Sequence, residues 1–411
     1  MRVLLSVYGS RGDVEPMAAL AVRLRELGVE VRVCAPPDEE FAKRLAGVGV
    51  TLVPAGVPVR EFIKRAGPRP VENFQETVAA LLAAQYEAVA AAAEGCDLVV
   101  ATGLMPASAA ARSVAEKMGI PYVLTAYFPG MLPSPHHRPF SYPGRPLPQD
   151  LTDNRVLWEL DRENMNIIFG GPLNAHQASV GLPPVESVRD YVFTDRPLLA
   201  ADPTLAPWRR PADLEVVQTG AWIVPDDRPL PPELMAFLDA GTPPVYVGFG
   251  SMSMNTSKDA ARVAIEAIRA HGRRAIVSRG WADLGLIDDG DDCFPVGEAN
   301  HQALFGRVAA VIHHGGAGTT TKAALAGAPQ VIVPQLVDQP YWGRRVTDLG
   351  VGAVLDGPTP TTESLSVALE TALAPQTRSR ASGLAGTIRT DGASTAARLL
   401  LDTINRAKQP G

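Results

Sequence analysis

The chain is short of the features that usually announce a function. It holds only 3 cysteines in 411 residues, Cys34, Cys96 and Cys293, far apart and in apolar or loop surroundings. No CxxC spacing occurs, which argues against a thiolate zinc site and suits reduced thiols of a cytoplasmic protein. No apolar run approaches the ~18–20 residues that cross a bilayer. The apolar stretch at the N-terminus, Arg2 to Val7, is too brief for a signal-peptide core. The net charge of −6 lacks the basic excess that nucleic acid demands. There is no G-x-G-x-x-G turn after a strand, so a dinucleotide-dependent dehydrogenase loses its main support. Histidine is scarce as well. Of the 7, two adjacent pairs stand out, His136-His137 and His313-His314. Neighbours on a helix or strand point apart, which makes such pairs weak metal signals.

What is present is a packed α/β pattern. Apolar residues make up 46 % and charged residues 20 %, the balance of a soluble globular protein. The length suits two or three domains at about 150 residues each. In the first half the apolar runs Val3–Val7, Val29–Val33, Thr51–Val53, Leu98–Ala101 and Tyr122–Thr125 read as strands. Between them, helical periodicity covers Pro16–Leu27, Glu39–Ala46, Val71–Ala93 and Pro106–Lys117. This βα alternation implies a parallel sheet wrapped by helices. Two irregular insertions follow strand ends, Ala55–Arg69 and the Pro-, His- and aromatic-rich Phe128–Asp150. Ligands of open α/β sheets bind at that edge, so the insertions read as the rim of a binding site or as plain surface loops.

A Pro-rich, charged connection spans Ala200–Pro229, and the rhythm then restarts. Val245–Val247, Ala275–Ser278, Val308–Ile312 and Gln330–Val333 read as strands, and Lys258–Ala270 as a helix. Both halves end a first strand in Gly-Ser, at Gly9-Ser10 and at Gly250-Ser251. The expected organisation is a first domain over 1–205, a linker over 206–225, a second domain over 226–388, and a terminal helix and tail over 389–411. The terminal helix, about Ser394–Arg406, either stays with the second domain or crosses back to the first.

The most informative stretch is His313-His314-Gly315-Gly316-Ala317-Gly318-Thr319-Thr320, between a strand and a helical pattern that begins near Lys322. Glycines let a backbone approach a ligand, and the free N–H groups of a helix start attract an anion. A histidine adds a donor, and a positive charge if protonated. That combination can hold a diphosphate without a metal. A tight turn with core histidines is the plainer alternative. The acidic run Asp288-Asp289-Gly290-Asp291-Asp292 looks like a DxD metal motif, but its place before Cys293 suits a solvated turn. No metal site is expected.

With the phosphate turn, the two Gly-Ser turns and Pro334-Gln335-Leu336-Val337-Asp338-Gln339-Pro340, the chain resembles the inverting, nucleotide-sugar-dependent glycosyltransferases of natural-product biosynthesis. Their fold, GT-B, has two tandem Rossmann-like domains facing each other across a cleft. Within that family it is most similar to the glycopeptide-antibiotic glycosyltransferases of the vancomycin and teicoplanin group. The segments carrying this closer match are Gly9-Ser10-Arg11-Gly12-Asp13, Gly181-Leu182-Pro183-Pro184-Val185-Glu186, Val217-Gln218-Thr219-Gly220-Ala221-Trp222 and Ser278-Arg279-Gly280-Trp281-Ala282-Asp283. Gly297-Glu298, Asn300-His301-Gln302 and Asp356-Gly357-Pro358 add to it. The likeness runs nearly end to end and is weakest over 55–87 and 128–166.

The resemblance implies a role for each matching position. His314 would contact the diphosphate, with Gly316, Ala317, Gly318, Thr319 and Thr320 supplying backbone and hydroxyl contacts. Asp338 and Gln339 would hold sugar hydroxyls. Trp281, Val296 and His301 are candidates for the base and ribose, with packing an equal alternative for Trp281. Ser251 joins the donor side through its Gly-Ser turn. Arg11 either faces the diphosphate or stays solvated. Asp13 stands where many relatives carry a catalytic histidine, and agrees with the glycopeptide subgroup. It is expected to be the base, with a helix cap as the rival reading, and Ser10 would position the acceptor hydroxyl. A carboxylate is ordinarily a weak base, at about 3.9, and burial raises it.

The expected function is transfer of a glucose- or N-acetylglucosamine-type hexose from a dTDP- or UDP-sugar to a hydroxyl of a glycopeptide aglycone or pseudoaglycone. The product would be inverted, with no obligatory metal or other cofactor, and the enzyme a cytoplasmic monomer. Two other classes share the fold, a sugar-nucleotide 2-epimerase and a non-catalytic sugar-nucleotide-binding helper. The aromatic insertions count against the first, and the presence of both Asp13 and His314 against the second.

Overall fold

The computed structural model describes residues 1–65, 71–142, 144–250, 257–280 and 290–409. The chain divides into two compact units. One comprises Met1–Pro203, Pro207–Val224 and Arg389–Gly411, the other Thr204–Ala206 and Pro225–Ile388. Among the described residues no helix is long and apolar enough to cross a membrane.

The first unit is built on a parallel sheet of strands β1 (Arg2–Tyr8), β2 (Glu30–Ala35), β3 (Leu52–Pro54), β4 (Leu98–Gly103), β5 (Tyr122–Ala126), β6 (Leu198–Leu199) and β7 (Val217–Gln218). Their order is β3-β2-β1-β4-β5-β6-β7, with every pair parallel. Helices cover both faces, and for that reason Val3 to Tyr8 are all buried rather than alternating. The order reverses between β1 and β4, whose register pairs Tyr8 with Gly103. Loops after those two strands therefore stand side by side at the carboxyl edge, where open α/β sheets bind ligands.

The helix after β1 begins earlier than its periodicity suggests. It runs over Arg11–Glu26 with Ser10 as its N-cap, and Pro16 lies inside it. A proline in the first turns of a helix removes a single backbone bond. Here the cap at Ser10 starts the helix five residues before Pro16, where the periodicity begins. The terminal helix, Gly392–Ala407, sits in this unit against the Arg11–Glu26 helix. Its Ala396, Ala397, Leu400 and Ile404 share one core with Met17, Leu20 and Leu24, so it belongs with the first unit and not the second.

The second unit repeats the winding with β8 (Val245–Gly248), β9 (Ala275–Ser278), β10 (Cys293–Val296), β11 (Ala310–His313), β12 (Gln330–Ile332) and β13 (Gly352–Val354). The order is β10-β9-β8-β11-β12-β13, again parallel throughout. Here the reversal falls between β8 and β11, with Gly248 opposite His313. Strand β10 escaped the sequence reading because Pro295 interrupts it. As an edge strand it has one unpaired side, and a missing N–H is tolerated there.

The aromatic insertion is anchored rather than loose. His137 packs edge-on against Trp158 and Trp208, with ring centroids 5.9 Å from each, and Trp158 Nε1 donates to His137 O at 2.9 Å. His136 Nε2 lies 2.8 Å from Pro211 O and His137 Nε2 3.0 Å from Leu132 O, so both rings are tied to main-chain carbonyls.

Candidate functional site

The reversal point of the second sheet gathers the phosphate-turn residues. β11 ends in His313, which is fully buried. Its Nδ1 accepts from Gly315 N–H at 3.1 Å, which makes Nε2 the protonated nitrogen, 2.9 Å from Gln330 Oε1. Burial pushes the His313 imidazole down to about 3, so it is a neutral structural bridge between β11 and β12. His314 points elsewhere. Its ring is flanked by the Gly250 and Gly316 backbones. A Cβ on Gly316 would stand 2.6 Å from His314 Nε2, and one on Gly250 would stand 3.1 Å from Cε1. Only glycine leaves room for the ring at the first of these, and at the second the backbone is also left-handed, with φ +58°. Burial pushes His314 down to about 4, so near neutrality it is an uncharged donor rather than a cation. Its Nδ1 is buried and has no hydrogen-bond partner among the described residues. A buried polar atom left unpaired calls for an explanation, and a ligand supplies one.

Directly after it, the helix Ala317–Leu325 starts five residues before the periodicity suggests. The Gly and Thr residues read as a turn are its first turn. Gly316 is the N-cap and offers no side chain to close the helix end. The N–H groups of Ala317, Gly318 and Thr319 precede the first helical bond, Thr320 N–H to Gly316 O at 3.0 Å. Thr320 Oγ1 also donates to Gly316 O at 3.0 Å, so its hydroxyl proton is spent on the turn.

The loop after β12 carries Asp338 and Gln339. Gln339 is buried and its Oε1 accepts from Gln335 N–H (2.7 Å) and Leu336 N–H (3.2 Å). Asp338 precedes the helix Gln339–Asp348 without capping it, and its Oδ2 accepts from Trp342 Nε1 at 2.9 Å. The turn just before Asp338 holds Val337 at φ +54°. A β-branched residue there is a true outlier, and such strain gathers at ligand sites.

The remaining donor-side candidates divide. Val296 ends β10 with its side chain in the core, so only its main chain faces the edge. His301 stacks on Phe305 (4.6 Å, 14°), with Nε2 3.0 Å from the Tyr246 hydroxyl, so the ring is held by the protein itself. Ser251 and Trp281 lie outside the described residues, as do Asp288 and Asp289. Asp292, at the end of the acidic run, is engaged by Arg269 through two contacts of 2.7 Å.

At the reversal point of the first sheet, Asp13 is the third residue of its helix and not the cap. Ser10 is the cap, and the two form a capping box. Asp13 Oδ2 receives Ser10 N–H at 2.7 Å and the Ser10 hydroxyl at 3.3 Å, while Oδ1 stands outside the box. The carboxylate lies so close to Gly9 that a Cβ there would stand 2.2 Å from Oδ2. Burial pushes the Asp13 carboxyl up to about 6 from its ordinary 3.8, against the Ser10 hydrogen bonds that pull it down. The capping-box role and the base role are therefore compatible, since one Asp13 oxygen serves the box and the group remains ionised at neutral pH. Arg11, two residues before Asp13, has Nε 3.2 Å from Glu15 Oε2 one turn further on, and Arg44 takes Glu15 Oε1 at 2.7 Å. Sequence reasoning missed Tyr127, whose hydroxyl donates to Asp13 O at 3.0 Å from the end of β5.

Comparison with known proteins follows the same division. The model of the glycosyltransferase family 28 N-terminal domain matches residues 3–134. That of the erythromycin biosynthesis protein CIII-like C-terminal domain matches residues 295–395. The vancomycin aglycone glucosyltransferase of Amycolatopsis orientalis is 58 % identical over 408 residues, 99 % of either chain. The dTDP-epi-vancosaminyltransferase of the same organism is 52 % identical over 412 residues, also 99 % of either. Among solved structures, the glycosyltransferase of kitacinnamycin shares the fold with a TM-score of 0.74 at 21 % identity, over 98 % of both chains.

Proposed function

The chain belongs to the glycosyltransferases of the GT-B fold, and from that premise we propose that it glycosylates a glycopeptide-antibiotic aglycone or pseudoaglycone. The donor is a dTDP- or UDP-hexose of the glucose or N-acetylglucosamine type, bound by the second unit. The acceptor is bound by the first. The relatives' names support the acceptor class, because one of them acts on the vancomycin aglycone. They do not agree on the sugar, since one name specifies glucosyl transfer and the other epi-vancosaminyl transfer. Both are transferases, which favours transfer over epimerisation or a helper role.

The single observation that carries the donor half is the His314 ring, wedged between two glycines at the head of an uncapped helix, with a buried nitrogen that has no partner among the described residues. A diphosphate fits that chemistry, with the imidazole N–H and the first-turn N–H groups aimed where charge grows as the leaving group departs. Those donors make a divalent cation dispensable in the proposed mechanism. Asp338 accepts from sugar hydroxyls and the Gln339 amide N–H donates to them, a pairing suited to a hydroxyl-rich hexose.

In the reaction, the acceptor oxygen attacks the anomeric carbon from the face opposite the diphosphate. The C–O bond to the diphosphate breaks, and the configuration inverts from α to β. The acceptor proton passes to Asp13, while Ser10 positions the attacking hydroxyl. A carboxyl near 6 is mostly ionised at pH 7 yet more basic than an exposed aspartate, the compromise a general base needs. The test is a panel of dTDP- and UDP-sugars with several glycopeptide aglycones, read by mass spectrometry with and without EDTA. The expected result is one sugar added to an aglycone, equally in EDTA. Donor epimerised or hydrolysed with no acceptor modified would overturn the transferase assignment to this acceptor class.

A further inference from the structure

We propose that Tyr127 is a positioning residue for the reaction, fixing the helical turn that carries Asp13. This rests on the reading of Asp13 as the base. The weak point of that turn is Pro16. It lies inside the Arg11–Glu26 helix and has no N–H to give the Gly12 carbonyl four residues earlier. The backbone ladder thus lacks a rung in the turn that holds Asp13. The Ser10 capping box secures that turn from its N-terminal side only, through Asp13 Oδ2.

Tyr127 closes it from the sheet. It stands one residue past β5, and its hydroxyl donates to the Asp13 carbonyl at 3.0 Å. The ring is itself braced edge-on by Trp222, centroids 6.3 Å apart, and the Trp222 indole N–H donates to Thr219 Oγ1 at 3.0 Å. Trp222 belongs to the core that joins the terminal helix to the first helix. Burial and the nearby Asp13 charge hold the phenol well above its ordinary value of 10, so it remains a donor at any working pH. A series of fixed groups therefore runs from the core to the main chain of the base. It acts on the placement of Asp13 and leaves its carboxylate to the chemistry.

The test compares Tyr127→Phe, Asp13→Asn and the double variant in the full-length protein. Single-turnover transfer, KM for each substrate, dTDP affinity by calorimetry and melting temperature are measured. Tyr127→Phe keeps the ring and loses only the hydroxyl. It is expected to lower the transfer rate roughly 10-fold, part of the 10²-fold that a 1 Å misplacement costs. Both KM values and dTDP affinity should stay within about twofold, and the same change made on Asp13→Asn should cost less than about twofold, because coupled positions are not additive. An equal loss in both backgrounds, or a loss carried by KM, would show that Tyr127 does not act through Asp13. If Asp13→Asn is crippled while Tyr127→Phe transfers at the wild-type rate, the positioning role fails and the base stands. If Asp13→Asn itself stays within a few-fold of wild type, the base assignment fails and this inference with it. Should Tyr127→Phe not fold, Trp222→Phe, which loosens the brace on the Tyr127 ring and leaves its hydroxyl, must give the same split.

Discussion

The two sheets wind alike and each places a helix at its reversal point, yet the two helix ends are finished differently. After β1 the end is closed, with Ser10 capping and Asp13 returning a bond to the Ser10 backbone. After β11 it is open, because Gly316 has nothing to cap with and Ala317, Gly318 and Thr319 keep their N–H groups. Burial acts on the key side chain of both and drives each toward its neutral form. It raises the Asp13 carboxyl to about 6 and lowers the His314 imidazole to about 4. One cause gives opposite uses, since desolvation makes an acid a better base and turns a cation into a neutral donor. The cap, and not the winding, separates the proposed base site from the proposed anion site.

The largest effect that would break this comparison belongs to the closed end. Asp13→Asn keeps most of the cap but cannot take a proton. Single-turnover transfer should fall roughly 10²- to 10⁴-fold, the usual worth of a general base. Donor affinity should be unchanged. Stability follows from the sign of the shift. A carboxyl raised in the folded state favours folding most below its ordinary pKa of 3.8, and that advantage is lost as pH rises through about 6. At pH 8, then, Asp13→Asn should melt no lower than wild type, and a large drop in melting temperature would recast Asp13 as a structural cap.

Next comes the open end. His314→Ala should lower transfer by roughly 10²-fold, the scale of losing one donor to a developing charge, and weaken dTDP binding with little change in melting temperature. His313→Ala should do the reverse. It unpairs Gln330 and Gly315 N–H, and buried groups left unsatisfied cost about 1–3 kcal/mol each. Equal, mild losses of activity in both variants would undo the distinction between the two histidines.

The smallest effect concerns the strained turn before Asp338. Val337→Gly relieves the left-handed backbone and should raise unfolding stability by about 1 kcal/mol, the low end of such strain. A looser loop should also discriminate less between donor sugars. Denaturant unfolding and competition between paired dTDP-sugars would read both, and a destabilised variant would mean that Val337 is not strained.

Much of this architecture is legible in the sequence, and the parts that are not have physical reasons. Long apolar runs mark β1, β4, β8 and β11 because strands buried on both faces carry little else. The two-residue strands β6 and β7 have no period to detect, and β7 lies in a stretch whose prolines suggest only a linker. Both functional helices start about one turn early, at Arg11 and Ala317, since glycine and proline in a first turn look like punctuation. The site residues Asp13 and His314 are visible as polar groups in Gly-rich strand-end turns. Their supports are not. Tyr127 is 114 residues from Asp13, and Gln330 is 17 from His313, and no local pattern links such pairs. The neutral state of His314 also depends on a burial that the sequence does not display.

The central claim is that a buried carboxylate in the closed helix end performs the proton transfer. The most direct test is the pH dependence of single-turnover transfer in wild type and Asp13→Asn, with donor saturating. The wild-type rate should fall about tenfold per unit as pH drops below about 6, as Asp13 protonates. Asp13→Asn should show a slow rate with that limb gone. The same limb persisting in Asp13→Asn would assign the titration, and the base, to another group.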